Sequence, residues 1–123
     1  MYILVADDQK ELANILRTIL EHSGYSVDTV YNGNDALAQA RSGKYDGIIM
    51  DIMMPGLSGL QVLKKLRAEK NHIPIMLLTA RDDAETKLEG LNSGANDYMQ
   101  KPFAVAELLS RIKAMLYPDP SRP

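Results

Sequence analysis

The stretch Gly47–Gly56 reads GIIMDIMMPG. Its first four residues, Gly47–Met50, are apolar without alternation, and the run stops on a bare carboxylate, Asp51, followed by turn residues. A strand with no polar face is covered on both sides, which is the habit of parallel sheets flanked by helices. An acid at the carboxyl end of such a strand stands where open parallel sheets bind their ligands. The stretch thus predicts both a fold class and a site.

Working outward, similar β-prone runs occur at Tyr2–Ala6, Ser26–Val30 and Pro74–Leu78, with a weaker one at Asp97–Gln100. Helical spacing fills the intervals. Leu12, Ile15, Leu16, Ile19 and Leu20 form one apolar stripe, Leu60, Leu63 and Leu66 a second, and Leu108, Leu109, Ile112 and Leu116 a third. Asp8 with Glu11, Asn32 with Asp35 and Ser58 with Gln61 are spaced as helix-start pairs. Gly24, Gly43 and Gly94 follow helical stretches, where a left-handed residue closes the last turn. Strands alternating with helices predict an α/β fold, an open doubly wound five-stranded parallel sheet with helices on both faces. No internal repeat is present. The proline-bearing tail after residue 117 reads as a linker stub, leaving residues 1–117 as one domain.

Composition narrows the function classes. The 123 residues carry a net charge of −2 and no cysteine, which excludes a disulfide framework, a thiolate metal site and a cysteine nucleophile. This balance gives the domain no electrostatic footprint for nucleic acid, so any DNA contact is expected from another domain. The N-terminus reaches two acids by residue 8 and no stretch approaches the roughly 18 uncharged apolar residues of a membrane span. A cytoplasmic protein with no membrane contact is expected. His22 and His72 read as surface residues, and the methionines as adaptable core filler.

The strand ends place Asp7, Asp8, Asp51, Thr79 and Lys101 around one crevice. Three converging carboxylates repel one another unless a cation neutralises them. Oxygen ligands without nearby histidine or cysteine suit a hard divalent ion, and Mg²⁺ fits best because it leaves positions for phosphoryl oxygens. Lys101 adds an ammonium and Thr79 a hydroxyl, both suited to phosphoryl oxygens. Taken singly these residues have plainer readings: Asp8 as a helix cap, Thr79 as a β-branched strand residue, Lys101 as a solvated charge. Together they describe a phosphoryl-transfer site in which Asp51 is the nucleophile.

Four motifs, ADD ending at Asp8, DIMMPGLSGL at Asp51–Leu60, LLTAR at Leu77–Arg81 and GANDYMQKPF at Gly94–Phe103, follow in an order and spacing that resemble the receiver domain of bacterial two-component response regulators. The resemblance covers residues 2 to 116. It implies a flavodoxin-like sheet of strand order 2-1-3-4-5 and a phosphorylation-activated signalling switch rather than an enzyme acting on other substrates. It assigns the phosphoacceptor role to Asp51, the metal to Asp7, Asp8, Asp51 and the backbone carbonyl of Met53, and the phosphoryl-pairing role to Lys101, followed by a cis bond to Pro102. Thr79 and Tyr98 are the implied switch pair, and Arg81 and Met53 lie near the site. The implied partner is a sensor histidine kinase carrying a phosphohistidine.

The later motifs resemble the OmpR/PhoB-type transcription regulators. In that subfamily the surface of the fourth helix, fifth strand and fifth helix forms a homodimer on phosphorylation, and DNA is bound by a separate effector domain. Lys87, Asp97, Glu107 and Arg111 match its ion-pair positions, and Leu88 and Leu91 its apolar contacts. Asn96 and Met115 depart from the acidic and basic residues usual in the subfamily, and Ala104 stands where a helix-capping Ser, Asp or Asn is frequent. Two other readings remain open on the residues: a receiver-like interaction module that works without phosphorylation, and a small-molecule phosphatase with an aspartate nucleophile. For the latter, Met53 stands where the haloacid-dehalogenase type carries its second acid.

Overall fold

The computed structural model describes residues 1–80 and 84–118. Five strands, β1 (Tyr2–Ala6), β2 (Ser26–Val30), β3 (Gly47–Asp51), β4 (Ile75–Thr79) and β5 (Asp97–Gln100), alternate with helices α1 (Lys10–His22), α2 (Gly33–Ala40), α3 (Gly59–Ala68), α4 (Ala84–Asn92) and α5 (Val105–Leu116). All strand pairs are parallel and the order is β2-β1-β3-β4-β5. This is the open doubly wound sheet expected.

The central strands are buried along their whole length, and successive side chains go to opposite faces. Leu4, Ala6, Ile48, Met50, Ile75 and Leu77 join a core with Leu37 of α2 and Val62, Leu63 and Leu66 of α3. Ile3, Val5, Ile49, Met76 and Leu78 join the opposite core with Leu16 and Leu20 of α1 and Leu108 and Ile112 of α5. Met50, Met76 and Met99 fill these cores as expected, while Met53 is exposed. His22 and His72 are at the surface. Ile15 departs from the apolar stripe read for α1 and is 54% exposed, because the buried stripe is narrower and runs through Ala13, Leu16 and Leu20.

Three local readings are corrected. β3 continues through Asp51, and β4 starts at Ile75 rather than Pro74 and includes Thr79. Proline has no N–H for the ladder, and Pro74 serves only through its carbonyl, which accepts from Ile48 N–H at 2.9 Å. Asp8 does not cap α1: the cap position is Gln9, without a side-chain hydrogen bond. Instead Oδ1 of Asp7 accepts the Gln9 N–H at 2.9 Å, because the acids turn toward the crevice and the helix begins after them. The Ser58–Gln61 capping box is formed, and Asn32 accepts from the Asp35 N–H.

Ala104 caps α5 without a side-chain bond. α3 closes with Asn71 N–H on Leu66 C=O and Lys70 N–H on Arg67 C=O, which places Lys70 at φ 61 where glycine is usual. α4 sits closest to the sheet through Gly90, its buried residue, at which a Cβ would lie 2.7 Å from Leu77 Cδ1. Leu88 and Leu91 of α4 are exposed. α5 ends beside residue 117, where the linker was expected; residues 119–123 of that tail lie outside the described residues. Among the described residues no helix is long and apolar enough to cross a membrane.

Candidate functional site

Strand register builds the crevice. Ala6 of β1 pairs with Met50 of β3, so the next residues, Asp7 and Asp51, emerge side by side at the carboxyl edge. Thr79 pairs with Gln100, and Lys101 N–H extends that ladder to the Thr79 carbonyl at 2.8 Å. The Lys101–Pro102 bond is cis.

The acids meet as expected. One carboxylate oxygen from each of Asp7, Asp8 and Asp51 lies within 4.8 Å of the others. Asp7 and Asp51 are buried and Asp8 is exposed. Lys101 closes the group, with Nζ 2.8 Å from Asp7 Oδ2 and 2.9 Å from Asp51 Oδ2. Burial pushes the Asp51 carboxyl above its ordinary range, the Lys101 ammonium pulls it back and the Asp7 charge adds to the rise. For Lys101, burial acts to lower the value, yet the hydrogen bonds to Asp7 and Asp51 outweigh it and hold the ammonium charged.

Buried carboxylates facing one another need a cation, and in this arrangement Lys101 supplies one. The all-oxygen donor set, two members shielded and one open to water, fits a hard divalent ion that keeps part of its hydration shell. Met53 follows two residues after Asp51; the residue is 59% exposed, and its N–H donates to Asp51 Oδ1 at 3.3 Å. Thr79 is fully buried in β4. Tyr98 is half-buried against the core that contains Leu77 and lines a groove with Lys87, Glu107 and Arg111. Arg81 lies outside the described residues.

Two arrangements were not legible from the sequence. Gln9 borders the site, its Oε1 3.5 Å from Lys101 Nζ; the sequence places it next to the acids but not its side chain's direction. Arg111, read as a partner for a second chain, binds within its own: Nη1 to Asp97 Oδ1 at 2.9 Å and Nε to Glu107 Oε1 at 3.0 Å. Lys87, Leu88, Leu91, Asp97, Glu107 and Arg111 nonetheless share the surface of α4, β5 and α5, the apolar pair exposed.

A doubly wound sheet whose carboxyl edge gathers three acids and a lysine defines a flavodoxin-like α/β domain with an acid pocket. The family model described as the response regulator receiver domain matches residues 3–113, and the chain belongs to that family. It is 47% identical over 115 residues to the Bacillus subtilis protein called uncharacterized transcriptional regulatory protein YkoG, covering 94% of this chain and 50% of YkoG. It thus spans about half the length of that curated relative. Among solved structures, the Francisella response regulator 1452 receiver domain aligns with a TM-score of 0.89 and 39% identity over 94% of this chain and 95% of that one. TrrA of Thermotoga maritima, solved in complex with Mg²⁺-BeF, aligns with a TM-score of 0.84 and 38% identity over 93% and 97% of the chains. Response regulator receivers work with histidine kinases, and the family is consistent with phosphorylation-dependent signalling.

Proposed function

We propose that Asp51 accepts a phosphoryl group from the phosphohistidine of a sensor kinase. A carboxylate oxygen of Asp51 attacks phosphorus, an O–P bond forms, and the P–N bond breaks with its electron pair passing to the imidazole nitrogen. Lys101, already within hydrogen-bond reach of Asp51, turns its donors to the phosphoryl oxygens. Asp7, Asp8, Asp51 and the Met53 carbonyl would hold Mg²⁺, which supplies charge neutralisation at those oxygens. Attack of water on phosphorus later returns the carboxylate and releases inorganic phosphate. The observation that carries this reading is the sharing of one ammonium by Asp7 and Asp51 beside the open carboxylate of Asp8.

The switch reading rests on the family resemblance, and the position of Thr79 supports it. Thr79, one residue past the Asp51–Leu78 pair, offers its hydroxyl to the new oxygens, and the Tyr98 ring turns inward behind it. The surface of α4, β5 and α5 then changes, pairing two copies in the OmpR/PhoB manner through Lys87, Leu88, Leu91, Asp97, Glu107 and Arg111. Output through a DNA-binding domain, regulation of transcription and a cytoplasmic site of action belong to the same proposal. The matched half-length of YkoG, a protein named as a transcriptional regulator, supports it.

Incubation with a small phosphodonor and Mg²⁺ followed by mass measurement tests the assignment. One phosphoryl mass is expected on the parent and none on Asp51→Asn; equal labelling of the variant refutes it.

A further inference from the structure

The connection from Ile52 to Ser58 carries Met53, and its position decides where that residue's carbonyl points. Its ends are fixed. Ile52 is buried, and Gly59 N–H donates to Ile52 C=O at 2.8 Å. Gly59 packs so closely on the strand end that a Cβ there would lie 2.3 Å from the Asp51 carbonyl oxygen.

The middle of the connection is held by a different element, the first turn of α2. The first N–H groups of a helix have no partner inside it. Here Gly33 N–H donates to Pro55 C=O at 3.1 Å. A Cβ at Gly33 would sit 1.9 Å from Leu57 O and 2.7 Å from Leu57 Cβ, inside the 3.0 Å that real Cβ contacts keep. The obstructing atom is backbone, so no rotamer relieves it. One residue further on, Gly56 turns at φ 76 beneath Asn34, whose Nδ2 stands 2.6 Å from where a Gly56 Cβ would be. The turn itself is fixed by Asn32, which accepts from Asp35 N–H at 2.7 Å.

We propose that Gly33 and Asn34 are positioning residues for the metal-bearing loop, so that α2 sets the affinity of the acid pocket for Mg²⁺ without touching Asp51. This rests on the reading of Asp7, Asp8, Asp51 and the Met53 carbonyl as a Mg²⁺ site. Mg²⁺ demands near-ideal octahedral geometry, so moving one of its ligands weakens binding while leaving the nucleophile in place. Such a defect is repaired by more Mg²⁺.

The test is calorimetric titration of Mg²⁺ into Gly33→Ala, Asn34→Ala and Gly43→Ala, with thermal melts to verify folding. Gly43 has φ 76 and open space around it, so its alanine variant carries backbone strain without touching the loop. Gly33→Ala is expected to weaken Mg²⁺ binding about tenfold, Asn34→Ala about threefold, and Gly43→Ala not at all. Phosphorylation of Gly33→Ala by a small phosphodonor is expected to recover at saturating Mg²⁺. Unchanged Mg²⁺ affinity in Gly33→Ala, or a labelling defect that persists at saturating Mg²⁺, overturns the proposal. Should Gly33→Ala fail to fold, Asn34→Ala decides it: parental affinity there overturns it. A parent that takes up no Mg²⁺ refutes the metal reading underneath.

Discussion

Asp28, on the edge strand β2, gathers three donors: the Tyr45 hydroxyl at 2.6 Å, Lys44 Nζ at 2.9 Å and the Tyr2 hydroxyl at 3.0 Å. Lys44 also lies over the Tyr2 ring, 4.7 Å from its centroid, and the two tyrosine rings meet edge to face. Burial, then the bond to the Asp28 carboxylate, pushes the Tyr45 phenol up to about 12. A group whose folded value exceeds its unfolded one stabilises the fold below the unfolded value, 10.0 here, and loses that contribution as pH rises through about 12. Spectrophotometric titration should show late tyrosine ionisation, and Tyr45→Phe should diminish that late step and flatten the alkaline decline in melting temperature. At this scale the gathering of Asp7, Asp8, Asp51 and Lys101 was readable, because strand ends of an open sheet converge. The directions taken by the Gln9 and Arg111 side chains were not, since several rotamers of a long side chain reach different partners.

Helix starts show how far local signals carry. Ser58 and Asn32 cap as their spacing implies, whereas Asp8 does not, because its neighbour Asp7 takes the nearby N–H and the acids belong to the crevice. Ala104 leaves the first turn of α5 without a side-chain acceptor in an extended cap conformation, φ −81 and ψ 134. That geometry already suits a capping hydroxyl. Ala104→Ser is expected to raise stability by about 1 kcal/mol in urea unfolding, with the urea slope unchanged. The strand limits at Asp51 and Thr79 were off by one residue, since apolar patterning stops where polarity begins while the hydrogen-bond ladder continues. Lys70 at φ 61 could not be read at all: nothing in its side chain announces a left-handed turn.

For the molecule as a whole, alternation of apolar runs and helical stripes established the class of fold, but not the order of its strands. Right-handed crossovers narrow the choices, and the order β2-β1-β3-β4-β5 rested on the motif resemblance that the fold then matched. Global stability is coupled to the acid pocket. Lys101→Ala leaves Asp7 and Asp51 buried and facing each other without their shared ammonium, a loss expected to cost about 1–3 kcal/mol in Mg²⁺-free buffer. Ligand that binds only the folded state adds about 2.7 kcal/mol at a hundredfold excess over Kd. Melting curves with and without Mg²⁺ should therefore show a larger rise for Lys101→Ala than for the parent; an equal rise would contradict the picture of an ammonium standing in for the metal.

The way α4 meets the sheet has a mechanical consequence. α1 and α5 are each keyed into the core by three buried side chains, whereas α4 rests on the bare backbone of Gly90, its leucines turned outward. Apolar burial is worth about 25 cal/mol per Å², so a tilt of α4 forfeits little, while the same tilt of α1 would tear open a core. The molecule therefore has one helix on skids among others bolted down, and in the proposed switch a modest push from the carboxyl edge would be spent where resistance is least.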